Sequence, residues 1–242
     1  SFTMYSYPVD LFDSDTAFDS GGGAQLVTAN VGARMHAAWV EGGAAVFSTS
    51  LDGGATWSAA MQLSNGELPG SLQIAVDGDT VVVAWIGIVT NSVGSLHVRT
   101  SRDAGQMFDP AVDLATSDAS TPAICVSGPY MHCAWTKFGP GLEQKVWVAS
   151  STTTGTVWST GNLAYITTDN QSVPAIGCLG GDAWIALRQG SSQRLYTTHT
   201  SNAGFFWSSG VARSAVVASP GSSPALFCND GPRVSLVWAD DG

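Results

Sequence analysis

An all-β fold built from repeated units is predicted for this 242-residue chain by three signals that share one period. The first is an octet, Ser50-Leu51-Asp52-Gly53-Gly54-Ala55-Thr56-Trp57. It returns at 101–108, 151–158 and 200–207, with starts 51, 50 and 49 residues apart. The second is an apolar strand closing on tryptophan, read at 35–39, 81–85, 131–135 and 234–238, with Trp184-Ile185-Ala186-Leu187 in the remaining slot. The third is a short apolar run before each of these, at 25–29, 72–76, 122–125, 174–178 and 224–228. Repetition at this interval is the mark of an array fold in which each unit buries its apolar faces against its neighbours.

Within one unit the elements follow in order. In the second, Leu72-Gln73-Ile74-Ala75-Val76 alternates as an inner strand, and Asp77-Gly78-Asp79 supplies turn residues. Val81 to Trp85 follows as the second strand, an apolar run closing on tryptophan. A longer loop leads to a third strand at 96–100. The octet then turns the chain into a fourth near 111–114. No segment combines a 3.6-residue apolar stripe with helix caps. Four antiparallel strands repeated about every 50 residues match a β-propeller blade.

The octets resemble Asp boxes, the bacterial neuraminidase (BNR) repeats of sialidase-like propellers. The first matches fully. The second keeps Ser101, Asp103, Gly105 and an aromatic, Phe108, while the last two replace the aspartate by Thr153 and Asn202. The resemblance spans nearly the whole chain and specifies a blade, not an activity. It implies framework roles for Ser50, Asp52, Gly54, Trp57, Ser101, Asp103, Gly105, Phe108, Gly155, Trp158, Gly204 and Trp207. It also places these turns opposite the ligand entrance. Turn chemistry agrees: the hydroxyl and carboxylate bind backbone amides, and the closing aromatic packs between sheets, with Trp57 expected to be buried.

Blade arithmetic predicts one domain over 1–242, a single five-bladed propeller of four-stranded blades. Its repeats run over 24–63, 71–114, 121–166, 173–217 and 223–242, the last completed by residues 1–11. The tail of that segment, Tyr7-Pro8-Val9-Asp10-Leu11, resembles 108–114, so pairing of the two ends would close the ring and remove an exposed edge. A piece of a larger ring is the alternative.

Composition narrows function. Nineteen acidic against nine basic residues give a net charge of −10, which argues against nucleic acid as a partner. No apolar run approaches the roughly 20 residues of a membrane-spanning helix. Residues 1–10 lack the features of a secretory signal, so any signal of an extracellular or cell-surface chain was removed before this numbering begins or never existed. Cys125, Cys133, Cys178 and Cys228 have no metal-ligand spacing, and their disulfide pairing is left open, although Cys125 and Cys133 flank one hairpin. No metal or cofactor is expected.

Sialidases hold the substrate carboxylate with three arginines on or before inner strands, and furanosidase-type five-bladed glycosidases place three carboxylates on inner strands. Here no arginine precedes an inner strand, and the inner strands carry no Asp or Glu. No catalytic residue is therefore assigned. The loops at the expected entrance offer Asp118, Asp169, Asn170, Glu67 and Arg188 as ligand-binding candidates, with Glu41, Lys137, Phe138, Glu143, Gln189 and Gln193 nearby. Asp118 and Asp169 are candidates for binding a sugar or a cation, or for capping turns. His36 and His132 share one slot in the repeat, which favours packing over metal ligation.

The leading expectation is a non-catalytic, lectin-like recognition module for a glycan or glycoconjugate. The alternatives are a divergent sialidase-like hydrolase, or a structural propeller with protein partners or copies of itself.

Overall fold

The computed structural model describes residues 25–88, 94–138, 143–164, 170–190, 194–213, 224–228 and 234–237. Among these there is no helix, and the strands form antiparallel sheets of consecutive hairpins. The first sheet is β1 (Leu26–Val31), β2 (Arg34–Glu41), β3 (Ala44–Ser50) and β4 (Met61–Gln62). The second is β5 (Leu68–Asp77), β6 (Thr80–Ile88), β7 (Ser95–Ser101) and β8 (Val112–Ala115). The third is β9 (Ala119–Ser127), β10 (Tyr130–Phe138), β11 (Gln144–Ser151) and β12 (Asn162–Leu163). The fourth is β13 (Gln171–Leu179), β14 (Asp182–Gln189), β15 (Leu195–Thr200) and β16 (Val211–Ala212). A pair, β17 (Ala225–Cys228) and β18 (Val234–Val237), follows. Residues 1–11, expected to complete the last unit, lie outside the described residues.

The first two strands of four sheets are joined by two-residue turns whose leading residue is Gly32, Gly78, Gly128 or Gly180, with φ between 55° and 59°. A positive φ at the first turn position matches the twist of the strands it joins. The core lies between sheets. Phe47 and Ala38 of the first sheet meet Leu72, Val83 and Trp85 of the second in one buried cluster. Val82 and Leu96 of the second meet Met131, Cys133 and Trp135 of the third in another. Val146 and Ala134 of the third meet Ile176, Ile185 and Leu187 of the fourth. Stacking on both faces explains why the second strands read as unbroken apolar runs.

Each octet turn is clamped to the hairpin of its own sheet. Gly53, Ala104, Thr154 and Ala203 donate their amides to the carbonyls of Ala33, Asp79, Pro129 and Gly181. Inside the turn, Ser50 Oγ accepts the Gly54 amide at 2.8 Å and donates to Asp52 Oδ1 at 2.8 Å. Asp52 Oδ1 accepts the Thr56 amide at 2.8 Å, and Asp52 Oδ2 accepts the Thr56 hydroxyl at 2.6 Å. The hydroxyl and amide bonds from Thr56 hold the Asp52 carboxyl down at about 2. Thr153 Oγ1 and Asn202 Oδ1 accept the equivalent amides of Val157 and Phe206, so the turn survives without the aspartate.

Two sequence expectations need correction. Trp57 is half-buried rather than buried, packed beside Trp39 and Val46. Cys125 and Cys133 do not face each other across their hairpin: Cys125 opposes His132 and Cys133 opposes Ile124. All four thiols are free. Cys125 instead lies against Cys178 of the next sheet, and burial pushes its thiol well above the usual range.

Candidate functional site

The starts of the first strands and the ends of the second strands share one end of the sheets, opposite the octet turns. At that end, the first strands of three sheets contain the same irregularity. Pairing slips between Gly70 and Gln73, near Ser120 to Ala123 opposite Ala134 and Thr136, and between Ser172 and Ala175. A bulge removes a ladder bond, which is where a strand tolerates proline, and Pro122 and Pro174 sit there. Ser71 and Thr121 take φ of 50° and 43° at the bulges. Such backbone is costly for residues with a side chain and persists where the surroundings enforce it.

The bulged strands surround a cavity of about 620 Å³. Among the described residues, the first strands β1, β5, β9, β13 and β17 all contribute to its lining. Its polar contributors are Gln25, Ser71, Gln73 and Thr121, and none of its described lining residues is ionisable. Gln25 Oε1 accepts the amide of Leu72 from the next sheet at 3.0 Å. Thr121 Oγ1 shares a 2.7 Å hydrogen bond with Thr136. Ser71 and Gln73 spend no side-chain hydrogen bond among the described residues.

The described candidates read from sequence occupy the same end but do not line this cavity. Glu67 accepts the indole Nε1 of Trp85 at 3.1 Å and the amide of Asn65 at 3.2 Å. Asn170 accepts the amide of Gln144 at 2.9 Å through Oδ1, and its carbonyl accepts the Gly190 amide at 2.7 Å. Asp118 has φ 62° and accepts a 2.8 Å bond from Ser117 Oγ. Arg188 lies within β14, paired with Ser172. Asp169 and Gln193 lie outside the described residues. The structure thus holds Glu67 and Asn170 in framework bonds and brings forward Ser71, Gln73 and Thr121, which the sequence reading passed over. Of these, Thr121 alone stands beside a proline that opens a repeated inner run, Pro122, and the run at 72–76, which follows Ser71 and contains Gln73, has none.

The two equivalent histidines are buried. His36 Nδ1 shares a 3.0 Å hydrogen bond with Thr49 Oγ1, and His132 Nδ1 a 2.8 Å bond with Ser150 Oγ. Burial lowers both to about 4, helped at His36 by the charge of Arg34. They stand in the octet half of the sheets, away from the cavity mouth, as neutral packing groups. His97 stacks on Trp85 at 5.5 Å and meets Asp113 at 2.7 Å.

No protein-family model matches the chain, and no curated protein matches it by sequence. Solved structures do match in fold. The Hadza microbial sialidase Hz136 superposes with a TM-score of 0.57 at 15% identity, covering 85% of this chain and 49% of its own. A protein of unknown function from Dyadobacter fermentans gives 0.62 at 10% identity, covering 87% and 73%. A polysaccharide lyase, the PL25 ulvan lyase, gives 0.55 at 13% identity, covering 84% and 60%. The chain therefore spans about half the length of the matched sialidase. At these identities the likeness speaks for fold: the chain shares the all-β, propeller-like architecture of sialidases and polysaccharide lyases.

Proposed function

We propose that the protein is a non-catalytic recognition module that binds a saccharide at the cavity end of the sheets, in an extracellular or cell-surface setting. The observation that carries this reading is the cavity itself. Its volume of about 620 Å³ falls in the range of small-molecule sites, and its described lining combines apolar side chains with neutral hydrogen-bonding groups. Glycoside cleavage needs a paired acid and base or nucleophile at the scissile bond, and the described lining offers no carboxylate for either task. Sugar hydroxyls need neutral donors and acceptors, which Ser71 and Gln73 supply. Asp118, Asp169, Asn170, Glu67 and Arg188 form the outer rim of the same site, and five units closed by residues 1–11 form the ring around it.

A glycan array, followed by calorimetry on its best ligand, tests this. The Ser71→Ala/Gln73→Ala variant should lose about tenfold in affinity, equivalent to about 1.4 kcal/mol, with an unchanged melting temperature. Asp118→Asn should weaken binding less, since a rim group is partly solvated. Turnover of a fluorogenic glycoside panel, lost in Asp118→Asn, would replace this reading by a hydrolase.

A further inference from the structure

The fourth octet carries two adjacent phenylalanines, Phe205 and Phe206, that are 86% and 70% exposed. The turn does not need them. Its hydrogen bond at that position uses the Phe206 amide, as the equivalent turns use the amides of Thr56, Met107 and Val157. The residues at the position before are Ala55, Gln106 and Thr156, so no other octet repeats the aromatic pair. Large exposed apolar side chains that the fold does not use mark interaction sites.

Beside the pair lies a groove between the third and fourth sheets. Two depressions of about 340 Å³ and 310 Å³ adjoin and share Ser159, Asn162, Gly204 and Phe205. Half-buried Trp158 and Trp207 contribute one to each. The described polar groups around these rings are all neutral, among them Asn162, Thr152 and Ser208. Asn162 gives Nδ2 to the Thr160 carbonyl at 3.0 Å and keeps Oδ1 as an acceptor. None of the described lining residues of either depression is ionisable.

We propose that this groove is a second ligand site, for a neutral oligosaccharide, on the face opposite the central cavity. Flat aromatic rings match the apolar C–H faces of pyranoses, and hydroxyl and amide groups at their edges match the sugar hydroxyls. Charge fixes the ligand as neutral. The chain carries −10 overall and the described lining of the groove holds no cation, so a polyanionic glycan finds no partner there and meets a repulsive field. This site stands on observations separate from those at the cavity.

The test uses the full chain and neutral hexasaccharides of glucose, mannose and xylose, with polygalacturonate as the anionic control. Binding is read by calorimetry and by the change in intrinsic tryptophan fluorescence that is lost on Trp158→Phe/Trp207→Phe substitution. At least one neutral hexasaccharide should bind. The Phe205→Ala/Phe206→Ala variant should lose tenfold or more in affinity at unchanged melting temperature, while Ser71→Ala/Gln73→Ala keeps this binding. Failure of the cavity site alone would leave the groove response intact, so the two readings fail separately. The proposal is overturned if no neutral hexasaccharide binds, if the phenylalanine variant binds as the parent does, or if polygalacturonate binds better. It is equally overturned if sedimentation shows a dimer that the phenylalanine variant dissolves, since the aromatic pair would then serve contact between copies.

Discussion

His36 and His132 each place a neutral imidazole inside the molecule, tied through Nδ1 to a hydroxyl. Both folded values, about 4, lie below the unfolded value of 6.5, so the unfolded chain takes up protons first as pH falls. The stability they allow is complete above pH 6.5 and is lost progressively down to about 4. Asp52, held at about 2, works in a lower window: its contribution is present above about 3.8 and fades towards 2. Urea unfolding between pH 7 and 4 should therefore show falling stability, on the order of 2 kcal/mol per histidine once solvent screening is allowed for. His132→Asn should lower stability at pH 7 yet flatten the slope between pH 6.5 and 4. An unchanged slope would assign the acid sensitivity to other groups.

At the scale of the element, the octet turns are both internal clamps and contacts to the neighbouring sheet. Phe108 of the second sheet packs edge-on against Phe47 of the first at 4.9 Å, and Trp207 of the fourth against His132 of the third at 5.9 Å. Gly204 shows how close the approach is. A Cβ there would lie 1.9 Å from Ser150 Oγ of the third sheet, on backbone with φ 87°. Gly53 has a similar φ of 76°, but a Cβ would meet nothing within 4 Å. Gly53→Ala should cost only the left-handed strain, about 1–2 kcal/mol. Gly204→Ala should add an overpacking cost of about 1–3 kcal/mol, visible as the lower denaturation midpoint of the pair. Equal costs would mean that the third and fourth sheets are not tightly apposed at this turn. Turn chemistry of this kind is local, which is why Ser50, Asp52 and Gly54 were readable as a turn from eight residues of sequence. The bulges at Ser71 and Thr121 were not, because a bulge is a relation between paired strands and leaves in one strand only a proline or a small polar residue.

For the whole molecule, the period of 49 to 51 residues made the stacked four-stranded sheets legible, since each unit repeats one apolar plan. Convergence on the cavity was legible only as a direction. Which side chains reach it depends on strand twist and bulging, so Glu67 and Asn170, assigned from their place in the chain, turn out to serve Trp85 and the backbone of Gln144. Closure is the remaining global question. Among the described residues, β17 and β18 form a two-stranded sheet packed beside β13, and each preceding unit has four strands. An isolated hairpin is marginal, and a four-stranded unit needs further strands on the outer side of β18. Residues 1–11 supply the matching sequence in the proposed ring. Deleting them should lower the melting temperature by at least about 5 °C, since 1 kcal/mol corresponds to about 2–4 °C at this chain length. Amide exchange should rise first in β17 and β18, because an unsupported unit opens locally before the rest. Unchanged melting and exchange would detach residues 1–11 from the last unit and favour an arc that belongs to a larger ring.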